Sequence, residues 1–283
     1  MKTTVAALQF SMSDKYEENI AKADSMIEKA AKEGAQIILL PELFERFYFC
    51  QIEDYGHFSF AEEFETSKTI AHFREIAKRL SVVLPVSYFE KAGNVFFNSI
   101  AIIDADGTVL GQYRKSHIPT GQCYEEKFYF APGDTGFRVW KTRFGVIGVG
   151  ICWDQWFPET ARSLALLGAQ ILFYPTAIAS EPVLPKDSKN HWQNVMRGHA
   201  AANIMPVVAS NRIGTETFGS SSMTFYGSSF ISDQHGELVA ELGRKEEGIL
   251  VRSFDLGAID EERRDWGVFR DRRVDLYDTL LRL

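Results

Sequence analysis

Cys152 lies in GVGICWDQWFPE, at the end of a glycine-interrupted β-rich run and just ahead of a helix whose first residues include Pro158 and Glu159. The pattern reads as a strand-to-helix elbow. A thiol there sits near a helix N-terminus, which lowers its pKa, and near backbone N–H groups that can face a developing oxyanion. From this local stretch alone an inert buried cysteine is an equally good reading, since cysteine is among the most often buried residues. Glu42 follows the apolar run AQIILL and Pro41, beside Leu43 and Phe44. Partial burial would raise its pKa toward the range of a general base. Lys115, in LGQYRKSHIP, also ends a β-rich run, where an ammonium can neutralise an oxyanion. Taken singly, a solvated loop glutamate and an exposed lysine are the simpler readings. Their joint placement with Cys152 at strand C-termini, where open α/β sheets build sites, favours chemistry.

The elements that must hold these residues alternate. TVAALQF, EENIAKADSMIEKAAKE closed by Gly34, and AQIILLP read as a β-α-β opening. From Ser67 to Leu80, Ile70, Phe73, Ile76, Ala77 and Leu80 share one helical face, and the strand SVVLPVSYFE follows. VFFNSIAIID and TVLGQYRK flank the turn DADG as a hairpin. The second half repeats this alternation with FGVIGVGI, a helix from about Phe157 to Leu167, ILFYP, a helix from about His191 to Asn203, PVVAS, and a second hairpin around DQHG. Alternating elements with hairpins predict mixed sheets covered by helices on their outer faces, two such layers packing as one large α/β domain over residues 1–283. The segment from Glu181 to Asn190 is the longest polar interruption and a candidate binding loop.

Composition excludes several classes. The chain has 283 residues, 45% hydrophobic and 24% charged, so it can bury a sizeable core without metal or disulfide staples. A net charge of −7 argues against nucleic acid as the main partner. The start MKTTVAALQF is too short an apolar run for a signal peptide, and the stretch from Leu164 to Ala179 is broken by Gly168, Gln170 and Pro175, so no membrane span is expected. Cys50, Cys123 and Cys152 form no CxxC pair, which suits a reducing, cytosolic setting. The six histidines show no ligand spacing, so no metal is expected. Gly145, Gly148 and Gly150 lie within a strand and not in a strand-to-helix turn, against a nucleotide fingerprint.

LLPELF around Glu42, YRKSHIP around Lys115 and GVGICWDQWFPE around Cys152 resemble the three signatures of the nitrilase (carbon–nitrogen hydrolase) superfamily, in its order. The resemblance covers nearly the whole chain. It implies a four-layer αββα sandwich with two mixed β-sheets, a cofactor-free hydrolase with a cysteine nucleophile, and a homodimer or higher homo-oligomer. The tail after Trp266, rich in Arg and Asp, is itself expected to lie over the surface or a neighbouring subunit. EKFYFAPGD resembles the segment that supplies a second carboxylate, so Glu126 is expected to orient Lys115 and substrate. CWDQWFPE, ILFYPTAIASEP, HWQNVMRGHAAAN, ASNRIG and WGVFRDRRVDLY resemble the subgroup of N-carbamoylputrescine amidases, although the loop EPVLPKDSKNHW is shorter and less acidic than that subgroup implies.

A small ureido substrate with a distal ammonium needs a carboxylate or an aromatic face several ångströms from the thiol. Glu181, Trp153 and Tyr48 are the candidates. A substrate ending in a carboxylate, as for a β-ureidopropionase-like or ω-amidase-like enzyme, would need a cation, for which Arg162, Arg197 and Arg212 are available. A non-catalytic scaffold would be expected to lose part of the triad, whereas Glu42, Lys115 and Cys152 are all present.

Overall fold

A computed structural model of the chain describes residues 2–180 and 187–282. Its first half runs β1 (Lys2–Gln9), α1 (Tyr16–Lys32), β2 (Ile37–Leu39), α2 (Lys68–Leu80), β3 (Leu84–Ala92), β4 (Val95–Ile103), β5 (Val109–Arg114) and a short α3 (Glu126–Tyr129). The second half runs β6 (Val139–Thr142), β7 (Gly145–Val149), α4 (Pro158–Leu166), β8 (Ile171–Pro175), α5 (Lys189–Asn203), β9 (Val207–Ser210), β10 (Ile213–Phe218), β11 (Ser221–Tyr226), β12 (Phe230–Ser232), β13 (Leu238–Glu241), β14 (Gly248–Asp255) and α6 (Leu256–Trp266).

One layer joins β14-β1-β2 to β3-β4-β5 through backbone hydrogen bonds from Ile38 N to the Val83 carbonyl (3.0 Å) and from Val83 N to the Gln36 carbonyl (2.8 Å). The other is the sheet β13-β12-β9-β8-β7-β6. Both are mixed: β1 pairs parallel with β2 but antiparallel with β14, and β7, β8 and β9 are parallel while β6 and β12 pair antiparallel at either side.

Strand alternation decides the layering, because successive side chains point to opposite faces. Val5 and Ala7 of β1, Ile37 and Leu39 of β2, and Ile100 and Ile102 of β4 meet Ile147, Val149, Ile171, Phe173 and Val208 between the sheets. The intervening Ala6, Leu8, Ile38, Ala101 and Ile103 face the apolar stripes of α1 and α2. On the far side Leu172, Tyr174, Val207 and Ala209 pack against α4 and α5. The result is the αββα sandwich that the sequence resemblance implies.

Local chemistry explains several boundaries. Ser67 caps α2, its hydroxyl accepting from Ile70 N at 3.0 Å. Between β4 and β5, Gly107 adopts φ 85, a left-handed turn position that suits glycine, and its N–H donates to the Asp104 carbonyl at 2.9 Å. Strands β6 and β14, the hairpin β10–β11 and helix α6 add to the elements read from sequence.

Candidate active site

The ends of β2, β5 and β7 point at one place. Glu42 lies in the turn after β2, where Leu43 takes φ 46, a left-handed conformation costing about 1–3 kcal/mol in a non-glycine residue. That turn is held from both sides. Ser87 Oγ of β3 accepts from Leu43 N at 3.0 Å, and Arg212 donates through Nη2 to the carbonyls of Glu42 (2.6 Å) and Leu43 (2.8 Å). Lys115 follows β5 directly and pairs with β4, its N–H donating to the Asn98 carbonyl at 2.9 Å. Asn98 shares the parity of Ile100 and Ile102, so its side chain also turns between the sheets.

These side chains form a buried ion cluster. Lys115 Nζ lies 2.8 Å from Glu42 Oε1 and 2.7 Å from Glu126 Oε2, and all three residues are fully buried. Asn98 Nδ2 donates to Glu42 Oε1 at 2.7 Å, and the Tyr48 hydroxyl donates to Glu126 Oε1 at 2.6 Å. Desolvation alone would lower the Lys115 pKa, but Glu126 and Glu42 outweigh it and hold the ammonium well above the ordinary lysine range. Burial pushes Glu126 up to about 6, against the opposing pull of Lys115 and of the Tyr48 hydroxyl. Glu42 Oε2 is buried and has no hydrogen-bond partner among the described residues, which leaves one acceptor of the cluster open for a proton.

Cys152 opens the 3-10 turn Cys152–Trp156 with φ 41, a second strained non-glycine position. Its thiol is raised well above the ordinary range, first by burial and then by the negative charge of Glu42, with Lys115 and the Ala177 backbone N–H offsetting part of the rise. This corrects the expectation of a thiol acidified by a helix N-terminus: α4 begins only at Pro158, a full 3-10 turn beyond the sulfur. Burial and the neighbouring carboxylate charge thus favour the thiol over the thiolate. Transfer of its proton to Glu42 leaves the net charge of the cluster unchanged, whereas a free thiolate would add a third negative charge around one ammonium.

A cavity of about 390 Å³ opens over Cys152, lined by residues including Gly121, Tyr124, Trp153, Gln155, Trp156 and His191. That volume suits a small molecule. Trp153 is on the wall and 39% exposed. Tyr48, expected as an aromatic face for substrate, is instead fully buried, with its hydroxyl on Glu126 and its ring edge-on to Tyr124. Glu181 lies outside the described residues. None of the arginines considered as carboxylate anchors lines this cavity. Arg212 is fully buried and pairs with Glu216 at 2.9 Å, while Arg162 and Arg197 donate to the carbonyls of Ala202 and Gly236. Among the described residues no group of three or more His, Cys, Asp and Glu side chains is placed to hold a metal ion.

Asn98, Arg212 and Glu216 are the supports that motif reading did not assign. Asn98 had a legible signal, a lone amide inside the apolar run VFFNSIAII of β4. Glu216 had none, because its strand β10 reads IGTETF and its partner on the Glu42 side of the molecule lies far away in sequence: Oε2 accepts from Tyr48 N at 2.5 Å.

The chain as a whole finds counterparts among known proteins. The family model described as carbon–nitrogen hydrolase matches residues 4–264, and the chain belongs to that family. It is 56% identical to an N-carbamoylputrescine amidase of Solanum tuberosum over 285 residues, spanning 99% of this chain and 95% of that protein. It is 52% identical to a citrullinase of Francisella tularensis subsp. tularensis, spanning 98% of each. The crystal structure of a carbon–nitrogen hydrolase from Helicobacter pylori G27 superposes with a TM-score of 0.92 at 39% identity, covering 100% of this chain and 99% of that one.

Proposed function

We propose that the chain hydrolyses N-carbamoylputrescine to putrescine, ammonia and carbon dioxide through a covalent intermediate on Cys152. The observation that carries the chemistry is the buried cluster of Lys115 between Glu42 and Glu126 beside the Cys152 thiol. Glu42 takes the thiol proton as Sγ bonds to the ureido carbon. The carbonyl electrons move onto oxygen, where Lys115 and the backbone N–H of Trp153 stabilise the charge. Collapse breaks a C–N bond, and Glu42 returns the proton to the leaving nitrogen. Water, deprotonated by Glu42, then attacks the carbamoyl thioester. The C–S bond breaks, Glu42 returns the proton to Sγ, and the carbamic acid released decomposes with loss of carbon dioxide, so putrescine, ammonia and carbon dioxide result whichever nitrogen leaves first. Glu126, held by Tyr48, keeps the ammonium in place.

Substrate choice rests on the relatives' names together with the cavity wall. N-carbamoylputrescine and citrulline share a ureido head and a distal ammonium, and citrulline adds an α-carboxylate. The 56% identity to an N-carbamoylputrescine amidase supports the amine without a carboxylate. Glu181 and Trp153 are our candidates for the distal ammonium. Hydrolysis of citrulline is the second reading, favoured by the similarity to a citrullinase. We further propose that the whole chain works as one hydrolase domain in the cytosol, in a homodimer or larger assembly. No described helix is long and apolar enough to cross a membrane.

Ammonia release from N-carbamoylputrescine, citrulline and N-carbamoyl-β-alanine tests the assignment, with the first expected to give the highest kcat/KM. Mass spectrometry of trapped enzyme should place the adduct on Cys152 and on neither Cys50 nor Cys123, and Cys152→Ser should fold but not turn over. Preference for citrulline would reassign the substrate. A label on another cysteine would reassign the nucleophile.

A further inference from the structure

Asp154 stands two residues after Cys152, is fully buried and has no part in the bond-making steps above. Its carboxylate is nevertheless surrounded by donors. Oδ2 accepts from Ile151 N at 2.9 Å and from the Tyr113 hydroxyl at 2.8 Å. Oδ1 accepts from His117 N at 3.0 Å and meets His117 Nδ1 at 2.7 Å.

Among the described residues these partners come from two places. Ile151 immediately precedes the nucleophile, and Tyr113 and His117 stand two residues before and two residues after Lys115. Ser116 N adds a bond to the same Tyr113 hydroxyl at 3.2 Å. His117 also stacks on Phe157 with ring centroids 3.7 Å apart and planes within 8°, which ties the lysine segment to the start of α4. One buried carboxylate thus bridges the segment carrying the ammonium, on one sheet, to the turn carrying the thiol, on the other.

We propose that Asp154 is a positioning residue for the reaction, locking the Lys115 segment in register with the strained Cys152 turn. The inference rests on the reading of Cys152 as nucleophile and Lys115 as the group facing the oxyanion. Two features of the geometry require such a lock. Cys152 holds a left-handed φ of 41, a conformation that persists only where its surroundings over-determine it. The attacking sulfur and the oxyanion donor also belong to different sheets, so a small slip between layers changes their separation directly, and a displacement of about 1 Å can cost on the order of 10²-fold in rate.

The test is Asp154→Asn, which keeps the shape but leaves one acceptor oxygen where two carboxylate oxygens each meet two donors. We expect kcat to fall by about 30- to 100-fold with KM changed by less than about threefold, because ground-state binding is spared while alignment is lost. Tyr113→Phe removes one of the four contacts to the carboxylate, together with the hydroxyl's bonds to Ser116, and should cost less. The combined variant should be no more than about twofold worse than Asp154→Asn, the signature of two groups acting as one unit. Rates are taken per folded molecule, with folding followed by circular dichroism. A second readout needs no substrate: alkylation of Cys152 by iodoacetamide should slow in Asp154→Asn, while Cys50 and Cys123 keep their rates. Unchanged kcat and alkylation in folded Asp154→Asn would overturn the lock, as would a loss that disappears once the folded fraction is corrected for. Wild-type enzyme that neither turns over nor is alkylated at Cys152 would overturn the nucleophile itself, and the lock with it.

Discussion

A carboxyl group buried against an ammonium sets by its own charge what that ammonium is free to do. Glu126 is pushed up to about 6 by burial, so above that pH it is ionised and shares Lys115 with Glu42. As pH falls through this value Glu126 takes a proton, Lys115 leans on Glu42 alone, and the base is tied up. The kcat/KM profile should therefore fall on its acid side near pH 6. Glu126→Gln should lower kcat by about 10²-fold and flatten that limb. Stability runs the other way. A carboxyl raised in the fold contributes stability that is fully present below its unfolded pKa and is lost as pH rises through about 6. The thermal advantage of wild type over Glu126→Gln should accordingly shrink between pH 4.5 and 7. An acid limb that survives unchanged in the variant would assign it to another group.

Among the elements, the turn after β2 depends on a side chain from the loop between β9 and β10. Arg212 binds the carbonyls of Glu42, Leu43 and Arg46 while its charge is met by Glu216. Arg212→Met leaves Glu216 buried without its cation and should cost about 3–5 kcal/mol, read from denaturant unfolding. Arg212→Met with Glu216→Gln should recover part of this loss, and a loss below about 1 kcal/mol for the single variant would show that water replaces the guanidinium. The same residue marks the limit of sequence reading. Glu42, Lys115 and Cys152 are legible because each ends a β-rich run with a local signature, and the helices are legible from their apolar faces. Arg212 reads equally well as an anchor for substrate carboxylate, because nothing near it in sequence names Glu42 as its neighbour. Likewise β14 pairs with β1 from the far end of the chain, and the hairpin β10–β11 is not among the elements read from sequence. What remains hidden is contact between distant segments, which local periodicity does not encode.

At the scale of the whole molecule, the segment after α6 presents Val274, Leu276, Leu280 and Leu281 at 65%, 60%, 63% and 89% exposure. Its ion pairs, Arg270–Asp271, Arg273–Asp275 and Arg282–Asp278, lie within the segment itself. A run of exposed apolar side chains suits an interface between copies. Sedimentation should show wild type as a dimer or larger, and Leu276→Asp with Leu280→Asp should give a smaller species. A wild-type chain sedimenting at 32.1 kDa would remove this role. A different consequence follows from the placement of the cluster. Glu42 and Lys115 leave the ends of one sheet, Cys152 leaves the end of the other, and Arg212 crosses from the loop after β9 to the turn after β2. No proteolytic fragment confined to either half of the chain holds both thiol and base. If Cys152 and Glu42 act as we propose, a nascent chain still lacking its second sheet should be inert toward substrate, with hydrolysis detectable only after synthesis has passed the last of these segments and the layers have closed.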